Sequence, residues 1–332
     1  MSSVISRRRF IAFVGAAAGL PLLLKAGGAQ ARPVRWEGTS LGAPASIQLY
    51  HTDEKLARAA IDAGLAELAR QEAIFSVYRA DSAITQLNRE GVLENAPPDF
   101  INMLTRALTL AKISDGVYDP TVQPVWQLYF RHFISSNPDS AGPKPSELAE
   151  ALALVDWRGV EIDAGRSRVS FARPGMGLTL NGGAQGYISD RVVDVLRSYG
   201  FDRMLVDMGE PRAISTKPDG TAWRIGIANP ADPGSTVTTL EVVDKCVATS
   251  GGYGTLFDQE GKFTHIIDTR SGRTAEKLLG VSVVADKGII ADGLSTAMLM
   301  APVEKRQAIL RAAGGLKAIY VTPEGVVSTV EA

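Results

Sequence analysis

Apolar residues recur near the helical period in several separate stretches of the chain. From Asp53 to about Ile74, the positions Leu56, Ala60, Leu65, Leu68 and Ala69 mark one face, and Asp53 stands where a side chain can cap the first turn. A second helix is predicted from Pro98 to Ile113, with Ile101, Leu104, Leu108 and Ala111 turned inward and Gly116 ending it. A third runs from Tyr187 to Tyr199, with Ile188, Val192, Val195 and Leu196 inward and Gly200 just past its end. Two more helices are expected near Asp292 to Met300 and Pro302 to Ala313.

Shorter stretches flanked by Gly, Pro or Asp read as strands. Residues 34 to 50 hold two of them, around Gly38 and Gly42. Others are Val160 to Ile162, Arg168 to Phe171, Leu178 to Leu180, Arg203 to Asp207, Ala222 to Ala228, Val237 to Val243, Cys246 to Thr249, Phe263 to Ile267 and Val281 to Ala285. A last hairpin turns at Pro323-Glu324-Gly325, and the proline-rich stretch Ser135 to Pro145 reads as a surface loop. Strands and helices in mixed, non-alternating order predict an α+β fold with mixed or antiparallel sheets and flanking helices.

The N-terminus stands apart from this pattern. Arg7 to Arg9 precede an apolar run from Phe10 to Leu24, too short to span a bilayer, and Ala29-Gln30-Ala31 offers a cleavage site before Arg32. Ser6-Arg7-Arg8-Arg9-Phe10-Ile11 fits a twin-arginine export signal, which carries proteins already folded. Residues 1–31 are therefore expected to be a signal peptide, with an ordinary secretory signal or an uncleaved anchor as alternatives, and residues 32–332 to form one large or two modest domains in the periplasm, without stable membrane insertion after cleavage. A formal charge of -1 with scattered Lys and Arg argues against a nucleic-acid partner. The single cysteine, Cys246, excludes an intramolecular disulfide, and its apolar neighbours predict a buried strand position.

Four segments carry candidate chemistry. Asn181-Gly182-Gly183-Ala184-Gln185-Gly186 precedes a helix, where bare backbone and a helix N-terminus suit a phosphate; a nicotinamide-binding unit using Asp207, or a structural turn, would look the same. Asp292 and Thr296 lie four apart on one helix face, an oxygen set suited to magnesium, or else a cap and a packing residue. His265 ends a predicted strand and can exchange protons near neutral pH; Asp268 either orients it or organises the turn at Ser271-Gly272. Ser250 and Gly251 supply a hydroxyl and bare backbone, but no Gly-x-Ser-x-Gly elbow surrounds Ser250. Tyr78 is placed either to stack on a flat ring or to join the core, and His51 and His132 have no neighbours that would build a zinc site.

Taken in order, these segments resemble the ApbE family of FAD:protein FMN transferases over nearly all of the mature chain. Leu41-Gly42-Ala43 stands for the family's Met-Gly-Thr, Tyr78 to Ser82 for its Tyr-x-x-x-Ser, and Tyr118-Asp119-Pro120-Thr121-Val122 for its Phe-Asp-Pro-Thr-Val. The glycine segment, Ser250 to Tyr253, His265 to Gly272 and Asp292 to Thr296 match four further motifs. Departures are Thr179, Asn181, Gln185 and Gly252 for the usual Asp, Gly, Lys and Asp, and Glu210 in a normally Gly-Gly-Asp turn. These variants are similar to the NosX branch, associated with nitrous-oxide respiration and the membrane flavoprotein NosR.

The resemblance implies that magnesium is held by the Gly182 carbonyl, Asp292 and Thr296. It places FAD contacts at Leu41, Tyr78, Val117, Tyr118, Asp119, Thr179, Gln185, Ser250, Gly251 and Ile267, with His265 and Asp268 as the catalytic pair. A Ser or Thr hydroxyl of an acceptor flavoprotein, NosR for that branch, would take FMN from FAD and release AMP. Hydrolysis of FAD at the same site, or carriage of FAD without chemistry, are the alternative readings.

Overall fold

The computed structural model describes residues 32–277 and 279–332; the expected signal peptide lies outside the described residues. An eight-stranded sheet runs through the molecule in the order β1-β2-β6-β7-β10-β11-β12-β13. Its strands are β1 Arg32–Ser40, β2 Ala43–His51, β6 Met204–Asp207, β7 Pro211–Ile214, β10 Cys246–Gly251, β11 Gly280–Ala285, β12 Gly315–Val321 and β13 Val327–Glu331. A small sheet pairs β3 Val92–Leu93, β5 Arg168–Phe171 and β4 Val160–Asp163, and β8 Trp223–Asn229 forms a hairpin with β9 Asp232–Val242. Every strand pairing is antiparallel. That bears out the α+β expectation and removes the parallel sheet a nicotinamide-binding unit requires.

The helices are α1 Glu54–Phe75, α2 Ala83–Glu90, α3 Pro98–Ile113, α4 Gln123–Phe133, α5 Pro145–Leu152, α6 Asn181–Ser198, α7 Gly288–Met300 and α8 Arg306–Ala312. In the first of these Asp53 caps as expected, its carboxylate accepting from the Leu56 N–H at 3.0 Å. Period-2 alternation then decides which face of the sheet each residue serves. Ile47 and Leu49 point to the layer formed by α1 and α6, where they meet Ile61, Leu68, Ile188 and Val192. On β10, Cys246 and Ala248 face Ala291 of α7, whereas Val247 faces Trp223 and Ile225 of the β8–β9 hairpin. Helices therefore cover one face and the hairpin covers part of the other. Among the described residues, no helix is long and apolar enough to cross a membrane.

Several expectations are corrected. The buried face of α3 is Phe100, Met103, Leu104, Ala107, Leu110 and Ala111; Ile101 and Leu108 lie at its margin, because α3 packs against α6 and α7 as well as its nearer neighbours. Leu178 to Leu180 is not a strand. The Asn88 side chain takes the place of a partner strand there, donating to the Leu178 carbonyl at 2.8 Å and accepting from its N–H at 2.6 Å, while the Thr179 N–H bonds to Pro120 O. Phe263 to Ile267 makes only isolated bridges, Leu256 with Thr264 and Ile267 with Thr274. The short helices α2, α4 and α5 were not anticipated, nor was β7, since each is too brief to set up a period.

The helix pair α6–α7 holds the centre of the molecule. A Cβ built on Gly186 would lie 2.1 Å from the Gly288 carbonyl oxygen, and one on Gly288 2.2 Å from that of Gly186, so the two backbones touch. Gly186→Ala should destabilise the fold by about 3 kcal/mol, since a backbone rather than a yielding side chain opposes the methyl. Denaturant unfolding with an unchanged slope and a lowered midpoint is the expected result.

Candidate active site

The glycine segment enters α6 through a kink. Gly182 and Gly183 depart from helical dihedrals, and regular helix begins only after them. Above this turn lies α7. A Cβ on Gly182 would fall 2.9 Å from the Thr296 hydroxyl, and the Gly182 carbonyl oxygen lies 3.7 Å from the Cβ position of Gly293. Thr296 in turn sits 3.1 Å from the Ser250 hydroxyl, which also pairs with Ser295 at 2.7 Å. Residues from three distant segments, Gly182, Ser250 and Thr296, thus meet.

Asp292 stands one helical turn before Thr296, buried, and Oδ2 accepts from the Gly186 N–H at 2.9 Å. It is a capping residue, but of α6 rather than of its own helix. The expected role of this helix start as a phosphate cradle is corrected in part: the Gln185 and Gly186 N–H groups already face a carboxylate. Burial raises the Asp292 pKa to about 7, against the pull of those two backbone donors. Next to it the buried Glu210, bonded to the Thr249 N–H at 3.0 Å, is also pushed well up, by burial first and then by the charges of Asp292 and Asp207. Asp207 itself rises to about 6 through burial.

Two departures from the family pattern fall at this spot. The Gln185 side chain lies against the peptide of Gly209, within 2.3 Å of where a Cβ would be, so a neutral amide stands beside the turn holding Asp207 and Glu210. At Gly252, a Cβ would sit 2.1 Å from the Glu276 carbonyl oxygen, which leaves no room for the acid usual there. Tyr118 is buried against the glycine turn, 3.3 Å from the Cβ position of Gly182, and its hydroxyl pKa is raised by burial and by Asp292 and Asp119. A cavity of about 530 Å³ reaches the same turn from the α3 side, walled by Met103, Leu110, Ile289 and Leu294.

His265 joins the site through backbone. The Gly254 N–H bonds to the Gly251 carbonyl, and a Cβ on Gly254 would lie 3.0 Å from Cε1 of the His265 ring. Nδ1 lies 3.1 Å from the Thr255 carbonyl and 3.2 Å from its N–H, and burial lowers the imidazole pKa. Asp268 is not its orienting partner. The carboxylate accepts from the Arg270 N–H and guanidinium and from the Ser271 hydroxyl, so the turn-forming alternative is the one observed.

The remaining sequence-named residues surround this centre at varied distance. Val117 is buried, and Asp119 is a clamp whose oxygens accept from Thr121 N–H and hydroxyl and from the Trp157 N–H. Thr179 follows Leu178 in the segment held by Asn88 and Pro120, and Ile267 is buried beside Val125 and Tyr129. Leu41 forms the β1–β2 turn, its N–H bonded to Glu72, and Tyr78 stands 68% exposed beyond the end of α1. Neither Leu41 nor Tyr78 is drawn into the Gly182–Thr296 cluster by a hydrogen bond among the described residues. Sequence reading missed Ser295 and Asp190. The second had a signal: Gly186-Tyr187-Ile188-Ser189-Asp190 and Gly288-Ile289-Ile290-Ala291-Asp292 share one Gly-x-x-x-Asp spacing.

Among the described residues no group of three or more His, Cys, Asp or Glu could hold a metal. A cation here would need hydroxyl and carbonyl oxygens as well, a donor set that suits a hard ion. The crowding of Asp292 and Glu210, both driven toward the neutral acid, is the electrostatic counterpart of that fit. A folded-state pKa raised above the unfolded value of about 4 gives stability that is present at low pH and lost as pH rises toward 7. Metal-free protein should therefore unfold more readily at about pH 8 than at about pH 5, and Asp292→Asn should flatten that slope in denaturant titrations.

The model of the ApbE family matches residues 41–320. FAD:protein FMN transferase of Treponema pallidum is 31% identical over 288 residues, covering 80% of this chain and 78% of its own, and that of Klebsiella pneumoniae 30% over 301 residues, covering 88% and 90%. Among solved structures, the apo flavinyl transferase ApbE of Pseudomonas stutzeri superposes with a TM-score of 0.75 at 27% identity, covering 91% of this chain and 95% of its own. Flavin transferase ApbE of Vibrio cholerae gives 0.76 at 25% identity, covering 91% and 97%. The chain belongs to the ApbE family of flavin transferases.

Proposed function

We propose that this chain is an exported FAD:protein FMN transferase that works with magnesium and moves FMN from FAD to a Ser or Thr hydroxyl of an acceptor flavoprotein, releasing AMP. The observation that carries it is the meeting of Gly182, Ser250 and Thr296 beside a buried Asp292, from segments far apart in sequence. The Gly182 carbonyl, the Asp292 carboxylate and the Thr296 hydroxyl are the ligands on this reading. When bound, magnesium would offset charge on a pyrophosphate, the main demand of phosphoryl transfer.

The chain's own residues do the rest. Ser250 and Gly251 present a hydroxyl and bare backbone to the nucleotide, and the clamped Asp119 segment holds Val117 and Tyr118 in place beside it. With its pKa lowered by burial, His265 is neutral near pH 7, and in the tautomer whose Nδ1 proton is donated to Thr255 O the Nε2 lone pair is free. Nε2 is then the acceptor for the proton of the attacking hydroxyl. The new bond forms between that oxygen and the FMN-side phosphorus, and the bridging oxygen departs with AMP. Asp268 keeps the neighbouring turn in shape.

Residues 1–31 serve as the twin-arginine signal and residues 32–332 as the transferase domain, which puts the reaction in the periplasm. The Asn181, Gln185 and Gly252 variants favour the NosX branch, with NosR as acceptor.

Incubation with FAD, magnesium and a NosR acceptor domain should give a fluorescent acceptor band; free FMN without a labelled band would mean a hydrolase, and neither would mean a carrier. His265→Ala should lower transfer by roughly 100-fold, and the parent's acidic limb should fall below the ordinary histidine value of 6.5. An unchanged rate in the variant excludes His265 as base. Asp292→Asn keeps an acceptor for the Gly186 N–H but loses the charge, so calorimetry should show magnesium binding weakened by at least tenfold, and undiminished binding would contradict the ligand assignment.

A further inference from the structure

Neither helix of the central pair carries a capping side chain of its own. Each takes one from the other. Asp292 of α7 accepts from Gln185 and Gly186, where regular α6 begins, and Asp190 of α6 accepts from Gly288 and Ile289, where α7 begins, at 3.3 Å for the Ile289 N–H. Each aspartate follows by four residues the glycine at which the backbones touch. The two carboxylates differ in what their second oxygen meets. Asp190 Oδ1 lies 3.2 Å from Nε of Arg212, a pair only 12% and 6% exposed, and Arg212 on β7 sits opposite Cys246 of β10.

We propose that Asp190 is a positioning residue for the cation site, acting through this reciprocal cap; the proposal rests on the magnesium reading above. Asp190 fixes where α7 starts relative to α6 and to the central sheet. Through the Gly186–Gly288 contact it sets where Asp292 and Thr296 stand over the Gly182 turn. A helix start robbed of its acceptor, with a buried guanidinium left unpaired, cannot hold that register. A shift of about 1 Å in a ligand pair is enough to matter to binding and chemistry.

Amide hydrogen exchange and magnesium calorimetry on Asp190→Ala, Asp190→Asn and the double variant Asp190→Ala, Arg212→Met test it, the double variant standing in if the single one does not fold. Asp190→Ala should raise exchange about tenfold at both helix starts, Gly288–Ile289 and the remote Gln185–Gly186, and weaken magnesium binding about tenfold. Asp190→Asn, which keeps an acceptor oxygen, should recover most of both. Faster exchange confined to Gly288–Ile289, or magnesium affinity unchanged in the alanine variants, overturns the role of Asp190. A parent protein that takes up no magnesium refutes the cation reading and this role with it, a result distinct from a parent that binds while its variants bind equally well.

Discussion

The contact of Gly186 with Gly288 constrains the central helix pair, because backbone meets backbone with no side chain between. Close approach brings the first turn of each helix within reach of a carboxylate on the other, and the unpaired N–H groups there are satisfied across the interface. From that crossing follow the height of Asp292 above the glycine kink, the placement of Thr296 over Gly182, and the hydroxyl link to Ser250 on the neighbouring strand. The sheet's part is to hold Arg212 and Ser250 at fixed distances from the pair.

Among the described residues, Glu210 is in no ion pair. Glu210 and Asp292 are buried beside the partly buried Asp207, and Gln185 lays a neutral amide against Gly209. Arg212, two residues on from Glu210, is engaged by Asp190 at 3.2 Å. Burial pushes the pKa of all three carboxyl groups, Asp207, Glu210 and Asp292, up.

Much of this was legible in residue order. Long amphipathic helices announced themselves by period, and α1 and α3 match their predicted ranges to within a residue. The glycine turn, Ser250 and the Asp292–Thr296 face were picked out by motif order, through the resemblance to the ApbE family, since spacing alone left each open to a turn or a cap. What stayed hidden was relational. Leu178 to Leu180 has strand-like residues, yet an asparagine side chain ninety residues earlier occupies its edge. Asp268 sits within reach of histidine in sequence but is taken by Arg270 and Ser271. That Asp292 caps a helix other than its own depends on a crossing that no local window contains.

The exchanged caps also bear on how the chain reaches its native state. The bonds that complete the two helix starts join residues 106 and 99 positions apart. Neither start can be finished locally, and closing loops of that length before any reward is collected is what slows a folding reaction. Regular helix can form early in the later turns of both segments, while the turns that carry the glycine kink and the buried acid wait for the long-range encounter. The cluster of Gly182, Asp292 and Thr296 is thereby completed in the same step that commits the topology.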